Sequence, residues 1–488
     1  MITSQIDRQN RISDHVGAGL SVLYSSDTVE TIEHNFAHEQ LQALNMKSAL
    51  IVSVFFGSVL GHQYQHPIHG HSHNSPQQLA LQENDCHVSR MSAFDPLVPG
   101  PVPFSEPVNP LNPQFHSLNA TTGEQWEFDA ISADGTSGVL IAFYRDPEFS
   151  FLGPGNLRIN LDVAFSDRTT ASLIDYAEQS IVEACGDVIT GTWLRSDASY
   201  RFRIAADSSW ASIAVNTPLI NGTIELENKA SPRGADGSAL GISREIGGTQ
   251  HRTISGMHWM EPMPAAHSSV NLTVKGSPLS IAGGIGGAER IWQNRTWFDM
   301  LQGYTFFRAV VGPYTMSYWS SASKHDGNEV GNVMLWYEGK PVFTSSDKIE
   351  SAQRAQKDGI KDDFFVYQPT YSGTVRSSVG EHAPTGYNVR MVSPSSGAHW
   401  SFHFEHQRVL FEFNLGRGAG GTAFMGPASG GEKDGEQFEG TFLNEAVDLG
   451  NLWIPGWVSS SLRTFHYTWA SVKMAKKHFQ DMIAAYQM

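Results

Sequence analysis

Five histidines, His62, His66, His69, His71 and His73, lie among Gln, Gly, Pro and Ser and form the densest set of potential metal ligands in the chain. A metal site needs partners that complete a defined shell. The stretch supplies no carboxylate or Cys, so it reads as a polar linker and no metal is expected. Two cysteines, Cys86 and Cys185, allow one disulfide or none, and would pair in an oxidising compartment. Asn119, Asn221, Asn271 and Asn294 each head an acceptor sequon for glycosylation. No Gly-x-Ser-x-Gly elbow, His-Glu-x-x-His pair or Walker loop occurs. The run Gly284-Ile285-Gly286-Gly287-Ala288-Glu289 begins like a dinucleotide fingerprint, but its third small residue is misplaced and no βαβ unit surrounds it. No cofactor is expected. Paired carboxylates at glycosidase separation leave no mark in a sequence, so a secreted carbohydrate-active protein stays an alternative.

These residues must be held by a chain of 488 residues that carries a net charge of −16, spread without an acidic tail. That balance disfavours a phosphate-tracking surface, and nucleic acid is not an expected partner. The one long apolar run, Ser48–Leu60, is too short to span a bilayer as a helix and suits the apolar region of a secretory signal. Residues 1–45 then read as an extension ahead of a start at Met46, 46–61 as the signal and 62–94 as a His- and Pro-rich linker, with a secreted product. Beyond it, short alternating segments predominate. "LRINLDVAFSD", "SYRFRIAAD", "NGTIELEN", "SVNLTVKG", the hairpin "VMLWYEGKPVFTS" and "HWSFHFEHQRVLFEFNLG" all read as strands. The fold class is all-β, with one amphipathic helix in the last 25 residues, where Trp469, Val472, Phe479, Met482, Ile483 and Tyr486 share a face. The Gly-rich stretch predicts a hinge near 280, dividing an N-terminal β domain (95–280) from a C-terminal one (281–488).

The most informative segment is "GGIGGAERIWQNRTWFDMLQGYTFFRAVVGPYTMSYWSSASKHDGNEVGNVMLWYEGKPVFTS", residues 283–345. With "GMHWMEPMPAA" upstream and "AFMGPASGG" downstream, it resembles the fungal Diels–Alderases, relatives of the hydroxyneurosporene synthase-like, lipocalin-like proteins. Trp292, Arg308, Gly312, Pro313, Tyr314, Trp319, Gly339 and Phe343 carry the match. Many members have His-Asp before the Trp step; this chain has Ala288-Glu289, and Glu289 can replace the acid. The resemblance implies an N-terminal β-sandwich, a C-terminal lipocalin-like barrel, a substrate pocket between or within them, and cofactor-free pericyclic chemistry. Its narrower form is a hetero-Diels–Alder coupling of a tropolone quinone methide, formed by dehydration, to a humulene-type terpene.

Such a reaction needs no nucleophile, only two π systems held face to face, and that alignment can supply about 7–11 kcal/mol. A donor on the acceptor oxygen would add electrostatic stabilisation. On this implied chemistry Arg308, Tyr304 and Tyr337 are candidate donors and His258 a candidate acid for dehydration. Trp292, Trp297, Phe298, Trp319, Trp336, Trp400 and Phe402 are candidate walls. Strand alternation requires Trp336 and Tyr337 to point oppositely, so at most one lines a barrel interior. A non-catalytic carrier of a terpenoid or polyene and a prenyl-chain hydratase or isomerase are the competing functions.

Overall fold

Alternation of side chains, rather than any helical period, decides the local structure of nearly the whole described chain. The structure is a computed structural model and describes residues 86–450 apart from 105–108, 152, 239–251 and 380–381, with isolated positions beyond 450. The extension, the signal segment, residues 62–85 of the linker and nearly all of the expected C-terminal helix lie outside the described residues. Among the described residues no helix is long and apolar enough to cross a membrane.

The first sheet contains β1 (Cys86–Ser92), β2 (Gly123–Ile131), β3 (Gly138–Arg145), β4 (Leu157–Ala164), β5 (Thr170–Tyr176), β6 (Gln179–Cys185), β7 (Val188–Arg195), β8 (Ala198–Ala205), β9 (Trp210–Asn216), β10 (Ile220–Asn228), β11 (Arg233–Gly234), β12 (Met257–Val274) and β13 (Ser277–Gln293). Its antiparallel path runs β1-β6-β7-β8-β9-β10-β12-β13-β2-β3-β4-β5, with β11 paired to β12. The path folds back on itself. Phe143 of β3 meets Trp193 of β7 and Phe202 of β8 edge-on, centroids 5.2 and 5.1 Å apart, so the two halves of one sheet enclose a sandwich core. Cys86 and Cys185 stand opposite each other in the β1–β6 register and are joined by a disulfide.

A charged clasp is sealed inside this core. Glu124 accepts from Arg290 at 2.7 Å and lies 3.4 Å from Arg145, and all three side chains are buried. Arg145 also donates to the hydroxyls of Ser89 and Ser180, both at 2.9 Å, which ties β3 to β1 and β6. Arg290 donates to the carbonyls of Gln125 and Ile291 at 3.0 and 2.7 Å, and lies 3.8 Å over the Trp126 ring. A buried charge is tolerable only when it is partnered in this way.

The second sheet contains β14 (Leu301–Val311), β15 (Tyr314–Ser323), β16 (Glu329–Tyr337), β17 (Lys340–Ser345), β18 (Phe364–Thr370), β19 (Gly386–Ser393), β20 (Ala398–Glu405), β21 (Arg408–Gly416), β22 (Ala419–Glu432) and β23 (Phe438–Asp448). Its order is β17-β16-β15-β14-β23-β22-β20-β19-β18, with β21 on β22. The residues after β17 meet β18 through Ile349 N–H to Phe365 O at 2.9 Å and Phe365 N–H to Asp347 O at 3.0 Å, which nearly closes a barrel. The β16–β17 turn uses Glu338 and Gly339, both at positive φ, the pairing a two-residue hairpin favours. Phe307, Phe404 and Phe442 pack ring on ring in the barrel, centroids 4.2 to 5.4 Å apart.

The Gly-rich stretch is neither a hinge nor a loop. It lies within β13, and the chain leaves the first sheet only after Gln293, through a single turn of helix, α1 (Trp297–Met300), capped by the Thr296 hydroxyl. The expected boundary near 280 therefore falls inside a strand. The glycines serve close approach. A Cβ on Gly286 would stand 2.4 Å from Asp129 O, and one on Gly287 only 2.3 Å from both Met263 O and the Arg308 guanidinium carbon.

Candidate active site

Alternation along each strand decides what the two sheets show each other. On β14, Phe307, Ala309 and Val311 turn into the barrel, and Phe306 and Arg308 turn out toward the first sheet. On β15, Tyr318 turns in and Trp319 out; on β23, Phe442 turns in, and Leu443 and Glu445 out. The facing strands answer with Glu127 and Asp129 from β2, Trp259 and Glu261 from β12, and Glu289 from β13. The result is a buried layer between the sheets in which five carboxyl groups meet the guanidinium groups of Arg308 and Arg233.

Arg308 binds Asp129 through Nη1 and Glu261 through Nε at 3.1 Å and Nη2 at 3.0 Å. Glu261 also accepts from the Ser317 hydroxyl and lies 4.0 Å from Arg233, whose Nη1 donates to Ser317 O at 3.0 Å. Burial pushes the Arg308 pKa down, but the Asp129 and Glu261 charges outweigh it and hold the group firmly protonated. Glu289 accepts from the Trp259 indole at 2.8 Å, and Glu127 from the Gln125 amide at 2.5 Å. Glu445 accepts from the Tyr304 hydroxyl at 3.1 Å and is hydrogen-bonded to Glu127. These three acids have no ion pair with a cation among the described residues. Burial, then the neighbouring Glu445, raises the pKa of Glu127 and of Glu289 well above the carboxylate range. Burial raises Glu445 to about 7, against the Tyr304 hydrogen bond that lowers it. A carboxyl group kept neutral near pH 7 is a hydrogen-bond donor.

Three rings lead away from this layer. Trp319 stacks between Trp259, centroids 4.7 Å apart at 20°, and Tyr304, at 5.1 Å and 16°. The Trp319 indole N–H is buried and meets no acceptor among the described residues, although a buried indole normally finds one. Next to the stack, Tyr144, Phe149, Ile285, Phe411, Phe413 and Leu415 are only half-buried and pack on the apolar core shared by both sheets. One polar and one apolar surface thus meet at Tyr304.

The structure brings together Arg308, Tyr304, Trp319 and Glu289 of the candidates named from sequence. Trp297 and Phe298 border the shared core, where the Glu148 carboxylate accepts from their backbone N–H groups at 2.8 and 3.5 Å. The others lie elsewhere. Arg308 is no free donor, because its guanidinium is consumed by Asp129 and Glu261. His258 and Trp292 occupy the opposite face of β12 and β13 from Trp259 and Glu289 and stack on one another, centroids 5.3 Å apart at 8°. Trp336 packs outside the barrel on Ala230 and Ala265 and donates to Ser231 Oγ at 2.9 Å. Tyr337 is 39% exposed beside Tyr314 at the barrel rim. Trp400 and Phe402 fill the barrel interior, Trp400 against Phe343 and Phe402 against Tyr314. Asn119 is buried: its Oδ1 accepts from the backbone N–H of Thr121 and Thr122, both at 2.8 Å, and its Nδ2 donates to Gly100 O at 2.7 Å. Asn221 and Asn271 are exposed on β10 and β12, and Asn294 is half-buried after β13.

Sequence reading missed Glu127, Asp129, Glu261 and Glu445. Their signal was present: each carboxylate interrupts an otherwise apolar or aromatic strand, in "QWEFDAI", "HWMEPM" and "TFLNEAV", and an acid is seldom buried without a partner or a role.

Residues 83–450 match the Diels-Alderase-like family. Diels-Alderase ffsF of Aspergillus flavipes is 34% identical over 381 residues, which is 76% of this chain and 88% of that protein. Diels-Alderase poxQ of Penicillium oxalicum is 37% identical over 390 residues, 78% of this chain and 84% of its own. The crystal structure of CghA with Sch210972 shares the fold, with a TM-score of 0.64 at 23% identity over 74% of this chain and 98% of that one. With the match running from before β1 to beyond β23, and relatives aligned across most of their own length, the chain belongs to the Diels-Alderase-like family.

Proposed function

We propose that the half-buried face between the two sheets holds an unsaturated substrate, folded so that diene and alkene lie over one another, and that the chain catalyses its Diels–Alder cycloaddition. Its relatives are named for this activity. In the step, three π bonds become two σ bonds and one π bond, and nothing leaves. The protein therefore contributes alignment, a hydrogen bond to the activating carbonyl, and exclusion of water. The observation that carries the reading is the Trp259–Trp319–Tyr304 stack, which ends in a hydroxyl at the edge of an apolar face. Tyr304 and the Trp319 indole would donate to the carbonyl oxygen, and Phe411, Phe413 and Tyr144 would press on the chain. The carrier alternative needs a hollow barrel, whereas Trp400, Phe402 and Phe404 occupy that interior.

The test is turnover of a linear decatrienone, with its diene at one end and its enone at the other, set against a tropolone alcohol mixed with humulene. A rate above buffer and one dominant stereoisomer are expected for the first, with a tenfold or greater loss in Trp319→Ala. Product from the second pair would assign the narrower hetero-Diels–Alder reaction. Rates equal to buffer with both probes would overturn the cycloaddition and return the carrier and the prenyl-chain hydratase or isomerase as the readings to test. The Cys86–Cys185 bridge supports a secreted product, and an amino terminus near His62 on native material is the result expected of a cleaved signal.

A further inference from the structure

Tyr304 can give its one proton to only one acceptor, and Glu445 competes with substrate for it. With Glu445 ionised, Tyr304 O–H points inward to Oε2, 3.1 Å away, and the phenol has no proton left to donate outward. With Glu445 protonated, the carboxyl O–H donates to the phenol oxygen and the phenol proton turns outward. Glu127 completes the set. Gln125 donates to Glu127 Oε2 at 2.5 Å, so a proton on Glu127 belongs on its other oxygen, and Glu127 and Glu445 share a hydrogen bond. Two carboxyl groups in contact cannot both be ionised in a buried site.

We propose that Glu127, Glu445 and Tyr304 form a directional relay, in which two acids hold the protons that turn the Tyr304 hydroxyl toward the substrate carbonyl. Glu445 and Glu127 are positioning residues, and Tyr304 is the group that touches substrate. This rests on the inter-sheet face being the substrate site. The groups facing Glu445 act in both directions, and burial outweighs those that favour its charge. Burial, Asp129 on β2 and Glu289 on β13 oppose its charge, whereas the hydrogen bonds from Tyr304 on β14 and from Glu127 on β2, and the charge of Arg308 on β14, favour it; a proton held on Glu127 is therefore the one donated to Glu445. Tyr144 on β3 lies within electrostatic reach, and β22 sets Ala423 opposite it, without charge. Arg308 is already bound to Asp129 and Glu261, which blunts its pull.

The relay predicts a particular pH profile. Turnover of the decatrienone by the wild-type chain should fall about tenfold per pH unit once the pair loses a proton, with KM little changed. Glu445→Gln should turn over faster than wild type at alkaline pH, because an amide can donate to the phenol at every pH. Tyr304→Phe should be slow and flat. A flat profile in an active wild-type enzyme, or a Glu445→Gln profile that falls with the wild type, overturns the relay but leaves the site. No turnover above buffer overturns the site instead. In that case the relay is still read without substrate, from infrared difference spectra between acid and alkaline pH. A protonated-carboxyl band lost on alkalinisation in wild type and missing in Glu445→Gln supports the relay; its absence in wild type overturns it.

Discussion

Glu289 and Arg290 are neighbours in the chain and face opposite worlds. Arg290 turns into the sandwich core, where two guanidinium groups share Glu124 and most of their donors reach a carbonyl, hydroxyl or carboxylate. Glu289 turns toward the second sheet, where acids outnumber guanidinium groups, and burial raises the pKa of the three that have no counter-ion among the described residues. The first arrangement is fixed at any ordinary pH, because arginine does not release its proton. The second can change state near neutrality. One strand thus separates a cluster built to hold the fold from one able to respond to its surroundings.

The largest effects should come from breaking the two clusters in parallel. Glu124→Gln strands two buried guanidinium groups and should cost about 3–5 kcal/mol, with a loss that stays constant between about pH 5 and pH 8. Arg308→Leu strands Asp129 and Glu261, which can escape by binding protons. Its loss should be of similar size at alkaline pH and clearly smaller in acid. Urea unfolding at several pH values separates the two; parallel pH dependence would erase the distinction.

A second contrast concerns the wild-type chain. The Glu445 carboxyl is raised to about 7 from an ordinary 4.5, so the folded state binds this proton more tightly than the unfolded state. Its contribution to stability is full below the ordinary value and is lost as pH rises through the folded one, on the order of 3 kcal/mol in all. Glu445→Gln should remove that decline, and thermal unfolding at pH 5 and pH 8 measures it. A smaller effect belongs to Gly287→Ala, and the smallest to its control at Gly283. The added methyl meets the Arg308 guanidinium and Met263 O, and should cost about 1–3 kcal/mol. Alanine at Gly283, where nothing stands within 4 Å of a new Cβ but φ is positive, should cost less and leave the acid cluster intact.

Strands were legible because alternation is local. The Glu338-Gly339 turn falls inside the hairpin the sequence predicts, whereas the β20–β21 break at His406-Gln407 was not placed by it. Half of the site was legible for the same reason, since Arg308, Tyr304 and Trp319 stand in one aromatic run. The other half was not. Alternation says that Glu127 and Asp129 share a face of β2, but not that this face meets β14 and β23 across another sheet. His258 was misplaced on the same account: one residue's step along β12 moves a side chain to the far face. The glycines of β13 misled because composition marks freedom, whereas here it marks proximity to Arg308 and Asp129.

Aromatic side chains already occupy the interior of the C-terminal barrel, so the barrel serves through its outer wall rather than as a vessel. On the proposed inter-sheet site, substrate breadth would be set where β21 leans on β4. Trimming Phe411 or Phe413 would widen the gap for bulkier guests while sparing the stuffed cylinder behind it.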